Sequence, residues 1–395
     1  MFEKISPEYR AYKIVEPGKP IQEEILIKNL ADPQKKLGKL FAYVYEITKK
    51  DYISFPKRKE GQNPIIHPLN VVWDLWKAGI NDVVTLSTAL VHDLIEEKVD
   101  LYKKKKEIKE DQKGIVILDA YENECLLALE QDLNKFCSEN KIDLKLVGET
   151  MELLQMLTRH KRHYYYRSIS TIYNHRDEKL KEKAIQIKLA DRMHNIQSLD
   201  TYNEQGRIYQ CFKNLFILNN TKNYLIKKHG KEANSQRDLD PTYLLFKKCA
   251  KVTYDAYAKI CKLALERGIN EVTSILELAF RKFAHEKKGL WAVTALDPKE
   301  THPIRFYQGI VRKYDARLHH EWDKFQKMEK DEKDYARKFF ADYKFKEEQL
   351  QAILDYKDAY ALKEVIARMI YKRNYVIYGF GCTELCSRKM VCMKI

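Results

Sequence analysis

Four places in the sequence hold residues able to do chemistry together: His67, the dipeptide His92-Asp93, the acids Glu96-Glu97, and Asp191 within KLADRMHNI. His92 and Glu96 are four residues apart, as are Asp93 and Glu97, so on one helix each pair projects from neighbouring turns. Asp191, Asn195 and Ser198 follow at i, i+4 and i+7 as a polar stripe, while Leu189, Met193 and Ile196 form a separate apolar one. A helix built this way points a carboxylate into a site while another face packs on the core. Two imidazoles and two carboxylates make a mixed N/O donor set suited to Mn, Fe, Zn or Mg. An ion in such a set acidifies a water and offsets charge on a phosphoryl group, as phosphoester hydrolysis requires. A His-Asp dipeptide alone is weak evidence, because a buried His or Asp is commonly a satisfied core or capping group. Here it sits inside the apolar run Thr88–Ile95, where a buried charge needs a partner. That context favours a metal.

Nearly every periodic segment around these residues has helical spacing. Leu37–Tyr52 sets Leu40, Val44 and Ile47 on one face. SFPKRKEGQNPIIHP, with three prolines and a glycine, reads as a loop. Helices are expected over His67–Ala78 and Asp82–Glu97, joined at Gly79, and KVDLYKKKKEIKEDQKG reads as a solvated loop or an extension. Helical patterns return over Tyr121–Ser138, Leu146–His160, Glu178–Leu199 and Arg207–Lys228. The polar segment His229–Pro241 is the expected domain boundary. Beyond it Tyr243–Glu266, Glu271–Glu286, Arg305–Asp355 and Leu362–Tyr371 read as helices, with an extended piece at Asn374–Phe380. The expected fold is all-α: an N-terminal extension (1–34), a helical domain (35–230) and a helical C-terminal domain (231–395).

Composition narrows the class. Apolar residues make up 45% and charged residues 33%, with only 13 Gly and 10 Pro, which disfavours collagen-like, linker-dominated and β-sandwich readings. No apolar run approaches a membrane span and the first residues lack a signal-type apolar core, so a cytoplasmic protein with no membrane partner is expected. The net charge of +15 suits polyanions as readily as it suits plain solubility. Eight cysteines without a secretory signal read as reduced thiols.

The segment NPIIHPLNVVWDLWKAGINDVVTLSTALVHDLIEE, followed by KLADRMHNIQSL, resembles the HD-domain alarmone hydrolases, the hydrolase module of Rel/SpoT-type proteins. The resemblance spans about residues 35–230 and implies an HD-domain helical bundle. It implies His67, His92, Asp93 and Asp191 as ligands of Mn²⁺, and Glu96-Glu97 as the pair that orients or deprotonates the attacking water. The family's second acid is usually Asp, so Glu97 is one methylene longer. Arg58-Lys59 fall where the family holds base and phosphates. Asn195 and Ser198 match positions contacting the ribose and phosphate end, with Ser198 replacing a usual Thr. The implied reaction removes the 3′-pyrophosphate of guanosine tetra- or pentaphosphate, leaving GDP or GTP.

Three departures stand out. The interval between Asp93 and Asp191 exceeds the compact pattern, placing an insertion at about 98–145, either a surface ornament or a lid. The run Arg159–Arg167 (RHKRHYYYR) suits nucleic acid, a phosphate-facing loop or a solvated loop. Residues 231–395 carry no synthetase pattern, Cys382, Cys386 and Cys392 match no standard metal signature, and His319-His320 read as a surface pair on a charged helix. Alternatives to the alarmone reading are an HD phosphohydrolase acting on another nucleotide or a nucleic-acid end, and a non-catalytic regulatory or nucleic-acid-binding protein. Nucleic acid is the lesser partner, and a homo-oligomer stays open.

Overall fold

The computed structural model describes residues 21, 23–32, 34–58, 61–230, 239–269, 303–377 and 380–381. Among them the chain is all-α, with an isolated bridge residue at His163 and no strand. The expected helix at Glu271–Glu286, the three C-terminal cysteines and Lys59 lie outside the described residues. The described part of Asn374–Phe380 forms no strand. No described helix is long and apolar enough to cross a membrane.

Contacts divide the chain into two compact units. The first contains residues 16–198, 223–249 and 379–395; the second contains 1–15, 199–222 and 250–378. The flanks of the expected boundary at His229–Pro241 both fall in the first unit, where Asp240 accepts from His229 Nε2 at 2.7 Å and Lys228 Nζ at 2.9 Å.

The first unit begins with α1 (Glu23–Leu30), α2 (Lys36–Tyr52), α3 (Ile66–Lys77) and α4 (Val83–Val91). Gly79 ends α3 at φ +93, a conformation a side chain would strain. Its N–H reaches Trp76 O at 2.9 Å and that of Ile80 reaches Leu75 O at 3.1 Å, the paired bonds of a Schellman ending. Asp82 then caps α4 by accepting from Thr85 N at 2.9 Å. Every residue of α4 is buried, which its sequence VVTLSTALV permits because its polar side chains are small. It packs against α2 and α3, and against α7 (Lys145–Leu157) and α9 (Glu178–Gln197). Burial of Val84, Leu86 and Leu90 contributes roughly 1.5–3 kcal/mol each.

The single helix expected over Asp82–Glu97 is broken. The helix lapses into a turn over His92-Asp93, with Asp93 at φ −100, ψ −6, and α5 (Leu94–Lys105) starts afresh. His92 takes part in the break, since its Nδ1 donates to Ala89 O at 2.8 Å. Within the insertion, the run expected as a solvated loop or an extension is helical up to Lys105, and the helix expected over Tyr121–Ser138 starts earlier, at Gln112. After α5 a short turn leads into α6 (Gln112–Glu139), capped by Asp111 on Gly114 N at 2.8 Å. A Cβ at Gly114 would collide with the Lys109 carbonyl, so this turn requires glycine. Helix α6 packs on α5 and α7, and α8 (Tyr165–Tyr173) lies between α7 and α9 in sequence and packs on both.

Two long helices, α10 (Glu204–His229) and α11 (Pro241–Ile269), pass from one unit's residues to the other's. The second unit also holds α12 (Pro303–Leu318), α13 (Trp322–Phe339) and α14 (Glu347–Tyr371). The continuous helix expected over Arg305–Asp355 is therefore interrupted twice, and Leu362–Tyr371 is the end of α14. His320 (φ +58) lies in the first break and Lys344 (φ +51) in the second, so His319-His320 form a turn. Inside α12–α14, Lys313 pairs with Glu332 at 2.7 Å and with Asp358, while Lys357 pairs with Glu332 and Asp358 at 3.0 Å each. All four are buried, two cations balanced against two anions.

Candidate metal centre

Helices α3, α4 and α9 pack on one another and bring His67, His92, Asp93 and Asp191 together in the first unit. His67 sits in the first turn of α3, His92 and Asp93 at the α4–α5 break, and Asp191 near the middle of α9. One donor atom from each lies within 4.8 Å of the others. His67 Nε2 is 3.2 Å from His92 Nε2, 3.1 Å from Asp93 Oδ2 and 3.3 Å from Asp191 Oδ1. His92 Nε2 is 3.3 Å from Asp93 Oδ1 and 4.0 Å from Asp191 Oδ1. An octahedral ion about 2.1 Å from each donor sets adjacent donors roughly 3.0 Å apart and opposite donors roughly 4.2 Å apart. The four residues fit such an ion.

The surrounding hydrogen bonds orient the donors. With His92 Nδ1 donating to Ala89 O, the lone pair of its Nε2 points inward. His67 Nδ1 lies 2.8 Å from His194 Nδ1; with His67 as donor, its Nε2 also presents a lone pair. Burial pushes His194 down to about 3, so a neutral ring accepts that bond across the neutral range. Lys188 Nζ meets Asp191 Oδ2 at 2.7 Å, and the Asn195 amide donates to Asp191 Oδ1.

The carboxylates are held ionised. Burial works against Asp191, but Lys188 and His67 overcome it and lower its pKa. Burial is likewise outweighed at Asp93, by His92 and His67, leaving it well below the usual range. Burial works to lower His92, yet Asp93 and Asp191 prevail and raise it to about 9. The donors thus draw positive charge to their centre, from a proton or a metal ion.

Glu96 and Glu97 lie in the first turn of α5, where the helix dipole favours acids. Burial raises both pKa values, and Asp93 adds to the rise in each. Elevated carboxyls beside a metal-type donor set suit proton transfer. Glu96 accepts from Arg159 N at 2.6 Å, with the Arg159 guanidinium 3.7 Å away.

The other expected contacts divide. Arg58 stands in the loop after α2, and its charge opposes the rise at Glu97 and adds to the fall at His194. Ser198 Oγ bonds the His194 and Asn195 carbonyls at 3.2 and 3.4 Å, at the end of α9. The basic run proves largely internal: His160 pairs with Glu122, Lys161 with Asp100, and Arg162 with Asp119 at 2.6 Å. Sequence reasoning missed His194, Lys188 and the specific link of Arg159 to Glu96. The first two were findable, since each stands three residues from Asp191 on the same helix.

No family model, curated protein or solved structure matches this chain.

Proposed function

We propose that this protein is a metal-dependent HD-type phosphohydrolase and, following the motif resemblance, a guanosine-3′,5′-bis(diphosphate) 3′-pyrophosphohydrolase of the cytoplasm. The observation that carries the reading is the convergence of His67, His92, Asp93 and Asp191 with Glu96-Glu97 one turn away. His67, His92, Asp93 and Asp191 would hold the ion, Mn²⁺ on the family pattern. When bound, a divalent ion supplies a more acidic water and offsets phosphoryl charge.

The chain's own residues do the rest. Glu97 is the less constrained acid, lacking Arg159's backbone bond, and accepts the proton of the attacking water. Glu96, fixed by Arg159, orients that water. Arg58 and Arg159 face the acids and draw the polyphosphate in. His67, His92 and Asp191 are buried, which strengthens the interactions among the donors.

The test is incubation of purified protein with Mn²⁺ and ppGpp, with His92→Ala/Asp93→Ala as control. GDP and pyrophosphate should appear only with the metal and the intact motif. No release by a folded, metal-loaded protein would refute the alarmone assignment. One observation favours another nucleotide in that event: Asn195 and Ser198 bond within α9 instead of standing open for a ribose.

A further inference from the structure

The insertion shows a surface that the metal centre does not use. Among residues 103–113 there are six lysines and three acids. Two of the acids are engaged: Glu110 with Lys103 at 2.7 Å, and Asp111 as the cap of α6. Lys104, Lys105, Lys106, Lys109 and Lys113 are exposed and pair with no carboxylate among the described residues, leaving Glu107 as the free acid of the turn.

The first turns of α6 continue this surface. Lys113, Val116, Ile117 and Ala120 stand at i, i+3, i+4 and i+7, one stripe along the helix, and all four are exposed. Val116 is 68% and Ile117 47% exposed, while Gly114, Ile115 and Leu118 are buried on the other side. The helix is thus apolar on two faces, one in the core and one in water. The polar residues Asn123 and Glu124, both exposed, end the stripe one turn later.

We propose that this turn and the start of α6 dock on an anionic lipid surface, with the lysines among the headgroups and Val116 and Ile117 at the acyl boundary. The docking is peripheral, since no described helix could span a bilayer. Two features select lipid over nucleic acid. The cations are all lysine, with none of the planar arginine forks that recognise phosphate in pairs. The exposed apolar side chains beside them, Val116 and Ile117, are aliphatic, which gain by leaving water but offer no ring for a base to stack on. This inference does not depend on the metal centre.

The test is sedimentation of the full chain with vesicles of phosphatidylcholine, with and without phosphatidylglycerol. Binding should require phosphatidylglycerol and weaken with salt. Each lysine near an anionic surface contributes roughly fivefold. Lys104→Glu/Lys105→Glu/Lys106→Glu should therefore weaken binding about 100-fold or more. Val116→Asp/Ile117→Asp should weaken it at least about tenfold with all lysines intact, as aliphatic insertion requires. These positions are exposed, and circular dichroism will show that both variants fold. Absence of binding to the anionic vesicles, unchanged binding by Val116→Asp/Ile117→Asp, or binding of a single-stranded oligonucleotide in place of the vesicles would overturn the proposal.

Discussion

His194 gives the sharpest prediction, because it touches the donor set without belonging to it. Its Nδ1 lies 2.8 Å from His67 Nδ1 and fixes which His67 nitrogen faces the centre. His194→Phe keeps a planar ring in a nearly closed site but removes this acceptor. His67 Nδ1–H is then left without its partner in a buried position, and the ring is free to tilt or change tautomer. Loss of such a supporting bond costs 10–100-fold in metal affinity, about 1.4–2.7 kcal/mol. His194→Asn, which offers an amide oxygen near the old Nδ1 position, should recover part of that. Titration calorimetry with Mn²⁺ at neutral pH measures the effect, with helicity followed in parallel. An affinity within about twofold of wild type in a folded His194→Phe protein would refute the account of how His67 is oriented.

Three further predictions concern the acids, the second unit and pH. Glu96→Gln/Glu97→Gln should retain Mn²⁺ binding while turnover collapses by about 100-fold or more; full turnover would remove both from catalysis. Lys357→Met leaves Glu332 and Asp358 buried with one cation between them, at an expected cost of about 3–5 kcal/mol. Denaturant unfolding reads this directly, and a loss below about 1 kcal/mol would show that the network relaxes freely. Burial raises Asp74 to about 6, against the opposing pull of Lys248. A raised carboxyl gives stability that is complete below its unfolded pKa and lost as pH climbs through the folded value, here between about 4 and 6. Asp74→Asn should therefore unfold later than wild type above pH 6 by at most about 3 kcal/mol, reduced by solvent screening. An advantage that does not change across that interval would contradict the assignment to Asp74.

The sequence made the donor set legible because its chemistry and its helices agree. An HD pair in the apolar run Thr88–Ile95 has few stable options, and Asp191 shares its helix with the aliphatics Leu189, Met193 and Ile196 that seat it. The break at His92-Asp93 was not legible, because the apolar pattern runs across it; the bond from His92 Nδ1 to Ala89 O that accompanies it belongs to the folded chain. His194 escaped notice for a related reason: it lies between the polar and apolar stripes of α9 and owes its role to a ring on α3. The second unit was least readable. Lys313, Lys357 and Asp358 look like solvated charges in sequence, and only their mutual pairing makes burial tolerable. The insertion's lysines were visible from the start, but the exposure of Val116 and Ile117 beside them belongs to the packing of α6.

Metal binding by the wild type and by Asp191→Ala tests the central claim most directly. Equilibrium dialysis against Mn²⁺ followed by elemental analysis should find one ion per wild-type chain, and its loss in a folded Asp191→Ala protein. Equal metal content in the two, or none in the wild type, would contradict the account.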